Sequence, residues 1–132
     1  PQAKTELVFE GFEGLAVLAQ PDLVLALVQN LVSNAERADP ADGKVTLTAE
    51  AKEGRVTLAV KDKGRGIPAE ELARVTEPFY MVDRSRARAQ NGSGVGLALC
   101  ARIAKLHGGE LAIKSEVGKG TTVRFDLKEA GR

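Results

Sequence analysis

The sequence predicts a two-layer α/β (α+β) sandwich, in which helices cover one face of a mixed, mostly antiparallel sheet. Two long segments carry apolar residues at helical spacing, and four shorter segments alternate apolar with polar residues, as half-buried strands do. Glycine-containing turns join these shorter segments in pairs, which predicts two hairpins. The length of 132 residues suits one domain with a core of useful size.

The predicted elements have recognisable ends. The first helix begins with Pro21, whose fixed φ suits a first helical turn, and Gly108 and Gly109 stop the last helix. A glycine-dense loop (62–68) and an arginine-containing loop (82–92), which we expect to be mobile, lie between the hairpins. The predicted strands are residues 5–10 and 14–20 (around a glycine-containing turn), 45–49, 56–60, 110–116 and 121–128, and the predicted helices are residues 21–39, 69–75 and 94–107.

Composition narrows the class of protein. The net charge is +1, from 19 basic and 18 acidic residues, so we expect neither a nucleic-acid partner nor a membrane contact by this domain. Cys100 and His107 are each the single residue of their type and make a poor metal site. We predict a core position for Cys100 and a structural or capping role for His107. A cytoplasmic setting is the simplest interpretation of a single cysteine.

A polar stripe runs along the first predicted helix. Asn30, Asn34 and Arg37 stand at i, i+4 and i+7, beside the apolar face rather than opposite it. One interpretation is a solvated helix surface. The other is a pair of neutral carbonyl oxygens facing Mg²⁺, which takes few ligands from protein and the rest from phosphate and water. The apolar face itself consists of Val24, Val28, Leu31, Val32 and Ala35.

Two glycine-rich segments could carry ligand chemistry. Asp62 ends a predicted strand and is followed by Gly64 and Gly66, which describes either an ordinary turn or a carboxylate placed to accept a hydrogen bond from an amine. The segment 92–97 runs directly into a helix, where free N–H groups suit phosphate. An irregular loop precedes it instead of a strand, which argues against a dinucleotide fold, and a P-loop lysine is absent.

In this order and spacing, the segments resemble the motifs of bacterial sensor histidine kinases. Residues 30–35 (NLVSNA) resemble the N box, 62–66 (DKGRG) the first glycine box, 77–80 (EPFY) the F box and 92–97 (GSGVGL) the second glycine box. The resemblance extends over residues 5–127 and includes the closing segments 106–109 and 118–121. It implies the Bergerat ATP-binding fold, with ATP and Mg²⁺ as ligands.

The resemblance also implies roles for individual residues. Asp62 would accept the adenine amino group with support from Thr121, and Asn34, with Asn30, would hold Mg²⁺. Arg37 stands where relatives often have a phosphate-contacting lysine. Ala38 replaces an aromatic residue, Met81 replaces an arginine that reaches the γ-phosphate, and Val95 replaces a leucine. The complete set of expected site residues is Asn30, Arg84 and Arg86 for catalysis (with Arg88 as an alternative lid arginine), and Asn34, Arg37, Asp62, Gly64, Gly66, Ile67, Phe79, Tyr80, Gly92, Gly94, Val95, Gly96, Leu97 and Thr121 for nucleotide binding.

The expected activity is therefore that of an ATP-dependent protein-histidine kinase catalytic domain. Residues 1–132 would be one such domain, excised from a longer kinase whose dimerisation and histidine-phosphotransfer segment is its partner, with a response regulator downstream. Whether the parent kinase has a membrane anchor elsewhere in its chain stays open. One alternative is a related superfamily ATPase or serine kinase, which Asn30 disfavours because relatives of that kind usually carry a glutamate there. The other is a nucleotide-binding regulatory module without kinase activity.

Overall fold

The computed structural model describes residues 6–11, 17–38, 41–72, 74 and 96–129. Both predicted hairpins are present, and three helices accompany six strands in this part of the chain. In chain order the elements are β1 (Glu6–Glu10), β2 (Val17–Leu18), α1 (Pro21–Arg37), β3 (Lys44–Lys52), β4 (Arg55–Asp62), α2 (Ala69–Leu72), α3 (Gly96–Leu106), β5 (Ala112–Glu116) and β6 (Gly120–Glu129).

The strands form one sheet in the order β1-β3-β4-β6-β2, with β5 also paired to β6. The β1–β3 pair is parallel and the other described pairs are antiparallel, so the predicted mixed sheet is confirmed. The expectation that the first two strands flank a simple turn is wrong, because β1 and β2 lie at opposite edges. A parallel pair needs a crossover connection, and the path from β1 to β3 runs through α1.

The core lies between the sheet and the helices. The buried face of α1 is centred on Leu27, Leu31 and Ala35, with the predicted Val24, Val28 and Val32 packed at its flanks. The predicted residues therefore lie on the correct face, but they do not include Leu27, its most buried member. The remaining buried cluster residues come from strands β3, β4 and β6 and from helix α3: Val45, Leu47, Val60, Val123, Phe125, Leu127, Cys100, Ile103 and Ala104.

The helices α1 and α3 run antiparallel. Gln20, which precedes α1, donates its backbone N–H to Nε2 of His107, which follows α3, at 3.0 Å. Farther along, Sγ of Cys100 lies 3.6 Å from the Leu27 carbonyl oxygen. This register places Gly96, the first residue of α3, level with the turn of α1 that holds Asn30.

The predicted core position of Cys100 is confirmed, since its side chain is fully buried. Burial raises the pKa of its thiol to about 12, so it stays protonated near neutral pH and behaves as a small apolar group. Among the described helices, none is both long and apolar enough to span a bilayer.

Candidate functional site

Three polar side chains share one row at an end of the sheet. Asp62, the last residue of β4, lies opposite Thr121 of β6, and Thr121 lies opposite Ser115 of β5. Because side chains alternate between faces along a strand, these residues project to the same face as buried Val60 and Val123. The row therefore lies on the face that the helices cover, where polar groups need partners.

The carboxylate of Asp62 is held by backbone donors. The N–H of Gly64 donates to its Oδ1 at 2.7 Å, and the N–H of Thr121 also donates to the carboxylate. Burial raises the pKa of Asp62 above its ordinary value, against the opposing effect of these two hydrogen bonds and of the nearby charge of Arg65. A half-buried acceptor with a fixed direction is suited to recognising a hydrogen-bond donor on a ligand.

The loop that follows Asp62 is clamped between α1 and the β5–β6 hairpin. The N–H of Arg65 donates to the Ala38 carbonyl at 3.0 Å, and the Arg65 carbonyl accepts from the N–H of Gly118 at 2.9 Å. The guanidinium of Arg65 also donates to the Arg37 carbonyl at 2.7 Å, a favourable place for a cation at a helix C-terminus. The loop therefore joins the sheet end to the end of α1.

Glycine is required twice in this loop. A Cβ at Gly64 would lie 2.5 Å from the Ala38 carbonyl oxygen, and a Cβ at Gly66 would lie 2.2 Å from the Glu116 carbonyl oxygen. Gly66 also has φ +79°, a conformation that side chains disfavour. Both glycines therefore have a steric role, since they let three backbone segments approach one another, and their role in nucleotide binding stays a prediction.

The predicted stripe on α1 exists, and its side chains are half-buried at the edge of the core. Asn30 donates its Nδ2 to the Ala26 carbonyl at 2.8 Å. Arg37 donates to Oδ1 of Asn34 at 2.5 Å and to Oγ of Ser33 at 3.1 Å. The stripe is therefore a hydrogen-bonded cluster and not a freely solvated surface.

The donor set of this stripe can be compared with what Mg²⁺ needs. With Nδ2 of Asn30 committed to the backbone, Oδ1 is its remaining polar atom, and Asn34 offers a second amide oxygen one turn away. No group of three or more His, Cys, Asp or Glu in the described ranges could hold a metal ion. Two neutral oxygens fit an ion that brings phosphate and water as its other ligands. Mg²⁺ would compete there with the guanidinium of Arg37, which fills one lone pair of Asn34 Oδ1 and repels a cation.

The start of α3 lies near the stripe. Because α1 and α3 are antiparallel, Gly96 and Leu97 lie at the same end of the helix layer as Asn34, Arg37 and the clamped loop. The first N–H groups of a helix have no intrahelical acceptor, and its N-terminus attracts anions. The other predicted residues of this region lie outside the described residues, and their roles stay predictions: Phe79, Tyr80, Arg84, Arg86, Arg88, Gly92, Gly94 and Val95.

Ser115 is a residue of this site that the sequence motifs do not identify. Its Oγ accepts the N–H of Ile67 at 2.7 Å and contacts Oγ1 of Thr121 at 2.7 Å, so it touches two predicted site residues. The alternation of Leu111, Ile113 and Ser115 places this serine at an inward-facing position of its strand, a signal that could have found it. Its position opposite Thr121 becomes visible only in the strand register.

The structural role predicted for His107 is confirmed. Its Nε2 accepts from Gln20, and its Nδ1 donates to the Ile103 carbonyl at 2.8 Å. Both ring nitrogens are therefore used in joining the end of α3 to the start of α1, and neither is presented to a phosphate donor.

Residues 19–131 match a family model described as histidine kinase-, DNA gyrase B-, and HSP90-like ATPase. The chain belongs to this family. Among curated relatives, the sensor protein SrrB of Staphylococcus aureus is 41% identical over 101 residues, which cover 76% of this chain. The aligned part is 17% of SrrB, so the chain spans about a sixth of the length of that relative.

Solved structures of sensor kinases share the fold of this ATPase-family chain. The catalytic domain of the histidine kinase ThkA, in a nucleotide-free form, has a TM-score of 0.81 at 27% identity, covering 97% of this chain and 81% of that one. Full-length ShkA in complex with AMPPNP has a TM-score of 0.81 at 28% identity, covering 99% of this chain and 27% of that one. The chain therefore has the α/β Bergerat fold of histidine kinase catalytic domains.

Proposed function

We propose that residues 1–132 are the catalytic domain of a longer sensor histidine kinase, which binds Mg²⁺–ATP and donates its γ-phosphoryl group to a histidine on the dimerisation segment of that kinase. A response regulator would receive the phosphoryl group next. We place the domain in the cytoplasm, where ATP is available. The similarity to SrrB and to the ThkA catalytic domain supports the assignment to sensor kinases.

The observation that carries the proposal is the geometry of Asp62. Its carboxylate is half-buried at the sheet end and fixed by the N–H groups of Gly64 and Thr121. An acceptor in this position suits the exocyclic amine of adenine and repels the carbonyl oxygen of guanine. A buried polar mismatch of this kind costs on the order of 1–3 kcal/mol, up to roughly a hundredfold in affinity.

The phosphate side of the site would be formed by α1 and the N-terminus of α3. Asn30 and Asn34 would hold Mg²⁺ through their amide oxygens, and Arg37 and the first N–H groups of α3 would contact the phosphates. When bound, Mg²⁺ neutralises charge on the phosphates. The lid arginines Arg84 and Arg86, with Gly92, Gly94 and Val95, would complete this side, and Phe79 and Tyr80 would pack at its base.

The kinase is favoured over a related ATPase by the surroundings of Asn30. An amide cannot take a proton from water, and Asn30 is further committed through its Nδ2 to the Ala26 carbonyl. Such a side chain positions a ligand and does not activate a nucleophile. ATP bound here would persist until a histidine of the partner segment docks in line with it.

Calorimetry with ATP and GTP tests the proposal. We expect ATP to bind at least tenfold more tightly than GTP in the presence of Mg²⁺, a preference of about 1.4 kcal/mol or more. Asp62→Ala should abolish the preference, whereas Asp42→Ala, which removes an exposed carboxylate near the same loop, should preserve it. Equal affinities in the parent chain would refute the assignment of Asp62 as the base-recognising residue.

A further inference from the structure

The hydroxyl of Ser115 joins three parts of the candidate site. Its Oγ lies 2.7 Å from the backbone nitrogen of Ile67, 3.0 Å from the carbonyl oxygen of Gly120 and 2.7 Å from Oγ1 of Thr121. Each distance is within hydrogen-bonding range. Ser115 is half-buried in the same row as Thr121 and Asp62, so water competes poorly for these partners.

A count of protons assigns the direction of each bond. A serine hydroxyl has one proton to donate and two lone pairs to accept with. The Gly120 carbonyl can only accept, so it takes the proton of Ser115, and the Ile67 N–H can only donate, so it fills one lone pair. The third contact is satisfied when Thr121 donates its own hydroxyl proton to Ser115. Oγ1 of Thr121 is then left with lone pairs only.

We propose that Ser115 is a specificity-determining positioning residue, which takes the hydroxyl proton of Thr121 and so makes the Thr121 oxygen a hydrogen-bond acceptor toward the nucleotide base. This inference rests on the proposed function of the site as an adenine nucleotide site. With Asp62 beside it, the site presents two acceptors to the edge of the base, directly or through a water. It therefore selects purines with an amino group at position 6 and rejects 6-oxo purines, which present an acceptor there.

A purely structural role for Ser115 has a different signature. If the hydroxyl served only to hold Ile67 and Gly120 in place, its removal would loosen the loop and reduce the affinity for every purine nucleotide by a similar factor. If it orients Thr121, its removal frees the Thr121 hydroxyl to rotate and to donate toward a 6-oxo group. The ratio of affinities for ATP and inosine triphosphate separates the two roles, because these nucleotides differ at position 6 but share the sugar and the phosphates.

The experiment measures both affinities by calorimetry with Mg²⁺ in the parent chain and in four variants. We expect the parent to favour ATP over inosine triphosphate by roughly tenfold or more, and Ser115→Ala to reduce that ratio by about fivefold. Ser115→Thr keeps the hydroxyl and should restore most of the ratio. Thr121→Val keeps the shape of Thr121 and the two other hydrogen bonds of Ser115. It should lower the ratio of the ATP affinity to the inosine triphosphate affinity, as Ser115→Ala does. Thr122→Val, which alters the opposite face of the same strand, should leave it unchanged.

The outcomes are distinguishable. An equal loss of affinity for both nucleotides in Ser115→Ala, or an unchanged affinity ratio in Thr121→Val, would overturn the proposal. Either result would leave the site an ATP site. Failure of the parent chain to bind either nucleotide would overturn the proposed function and this inference together. Because Thr121→Val leaves the loop contacts of Ser115 in place, the test stands even where Ser115→Ala folds poorly.

Discussion

The guanidinium of Arg37 donates a hydrogen bond to Oδ1 of Asn34 at 2.5 Å, and thereby fills one lone pair of the oxygen that the proposed magnesium site requires and places a positive charge beside it. The two residues lie one turn apart on α1, and a second bond to Ser33 holds the guanidinium in place. Mg²⁺ bound at this oxygen, as proposed, would therefore compete with the guanidinium for Asn34. A guanidinium displaced from Asn34 would be a candidate to contact phosphate.

Asn34→Ala should reduce the increase in ATP affinity that Mg²⁺ produces, because an amide oxygen is lost from the phosphate side while Asp62 is untouched. We expect a loss of about tenfold with Mg²⁺ and little change without it. The matched control is Ser33→Ala, which removes a neighbouring partner of Arg37 but no proposed ligand. ATP titrations with and without Mg²⁺ measure the effect, and an identical magnesium effect in mutant and parent would make Asn34 a structural asparagine.

Arg37→Ala should have two opposed effects. It removes a cation from the proposed phosphate side, so ATP without Mg²⁺ should bind more weakly, by about threefold to tenfold. It also releases Oδ1 of Asn34, so the Mg²⁺ concentration that gives half of the full enhancement should fall. A magnesium titration of ATP binding measures both, with the exposed Arg124 on the other sheet face as the control substitution. If the Mg²⁺ concentration that gives half of the full enhancement is unchanged, the Arg37–Asn34 bond does not compete with the cation.

Asp62→Asn should stabilise the fold at neutral pH while weakening ATP binding by about tenfold. Burial raises the pKa of Asp62 above 3.8, so the buried charge lowers the free energy of unfolding at neutral pH. This destabilisation disappears as the pH falls through the raised pKa and the carboxylate takes up a proton. The amide carries no charge, so its stability advantage should be largest near pH 7 and should shrink on acidification. Thermal unfolding at several pH values tests this, and a lower melting temperature than the parent at pH 7 would contradict it.

Gly66→Ala should cost about 3 kcal/mol or more of unfolding free energy, and Gly54→Ala about 1 kcal/mol. Both glycines have positive φ, at +79° and +82°, so both substitutions carry the same backbone penalty. A Cβ at Gly54 meets nothing within 4 Å, whereas one at Gly66 would lie 2.2 Å from the Glu116 carbonyl oxygen. Denaturant unfolding of the two variants isolates the steric part, and equal losses would mean that the loop can move away from β5.

The chain alone should neither label itself with phosphate nor hydrolyse ATP at a useful rate. Both ring nitrogens of His107 form hydrogen bonds, one with Gln20 and one with Ile103, and Asn30 cannot activate water. Incubation with γ-labelled ATP should leave the chain unlabelled, and an added cognate dimerisation segment should acquire acid-labile phosphate. His107→Ala should cost about 1 kcal/mol of stability without altering that transfer. Labelling that disappears in this variant would make His107 a phosphoacceptor after all.

The sheet and the two long helices could be predicted because the periodicity of apolar residues reflects burial directly. The alternating pattern that includes Val45, Leu47 and Val60 predicts their strands, and all three residues are buried as expected. Alternation does not specify which strand pairs with which, so the separation of β1 from β2 was missed. The motif residues Asp62, Gly64 and Thr121 come together as expected. The Arg37–Asn34 bond depends on rotamers and the contacts of Ser115 on register, and a linear sequence displays neither.

The row that contains Asp62, Thr121 and Ser115 also has a consequence for folding. Asp62 on β4 is far along the chain from Thr121 and Ser115, which belong to the β5–β6 hairpin, so the row forms only after the long-range pairing of β4 with β6 is complete. A slip of one residue between β4 and β6 would turn Thr121 to the opposite side of the sheet. If the row recognises the base as proposed, nucleotide affinity reports whether this chain has reached its correct register, and a bound nucleotide would shift a partly folded population toward that one pairing by mass action.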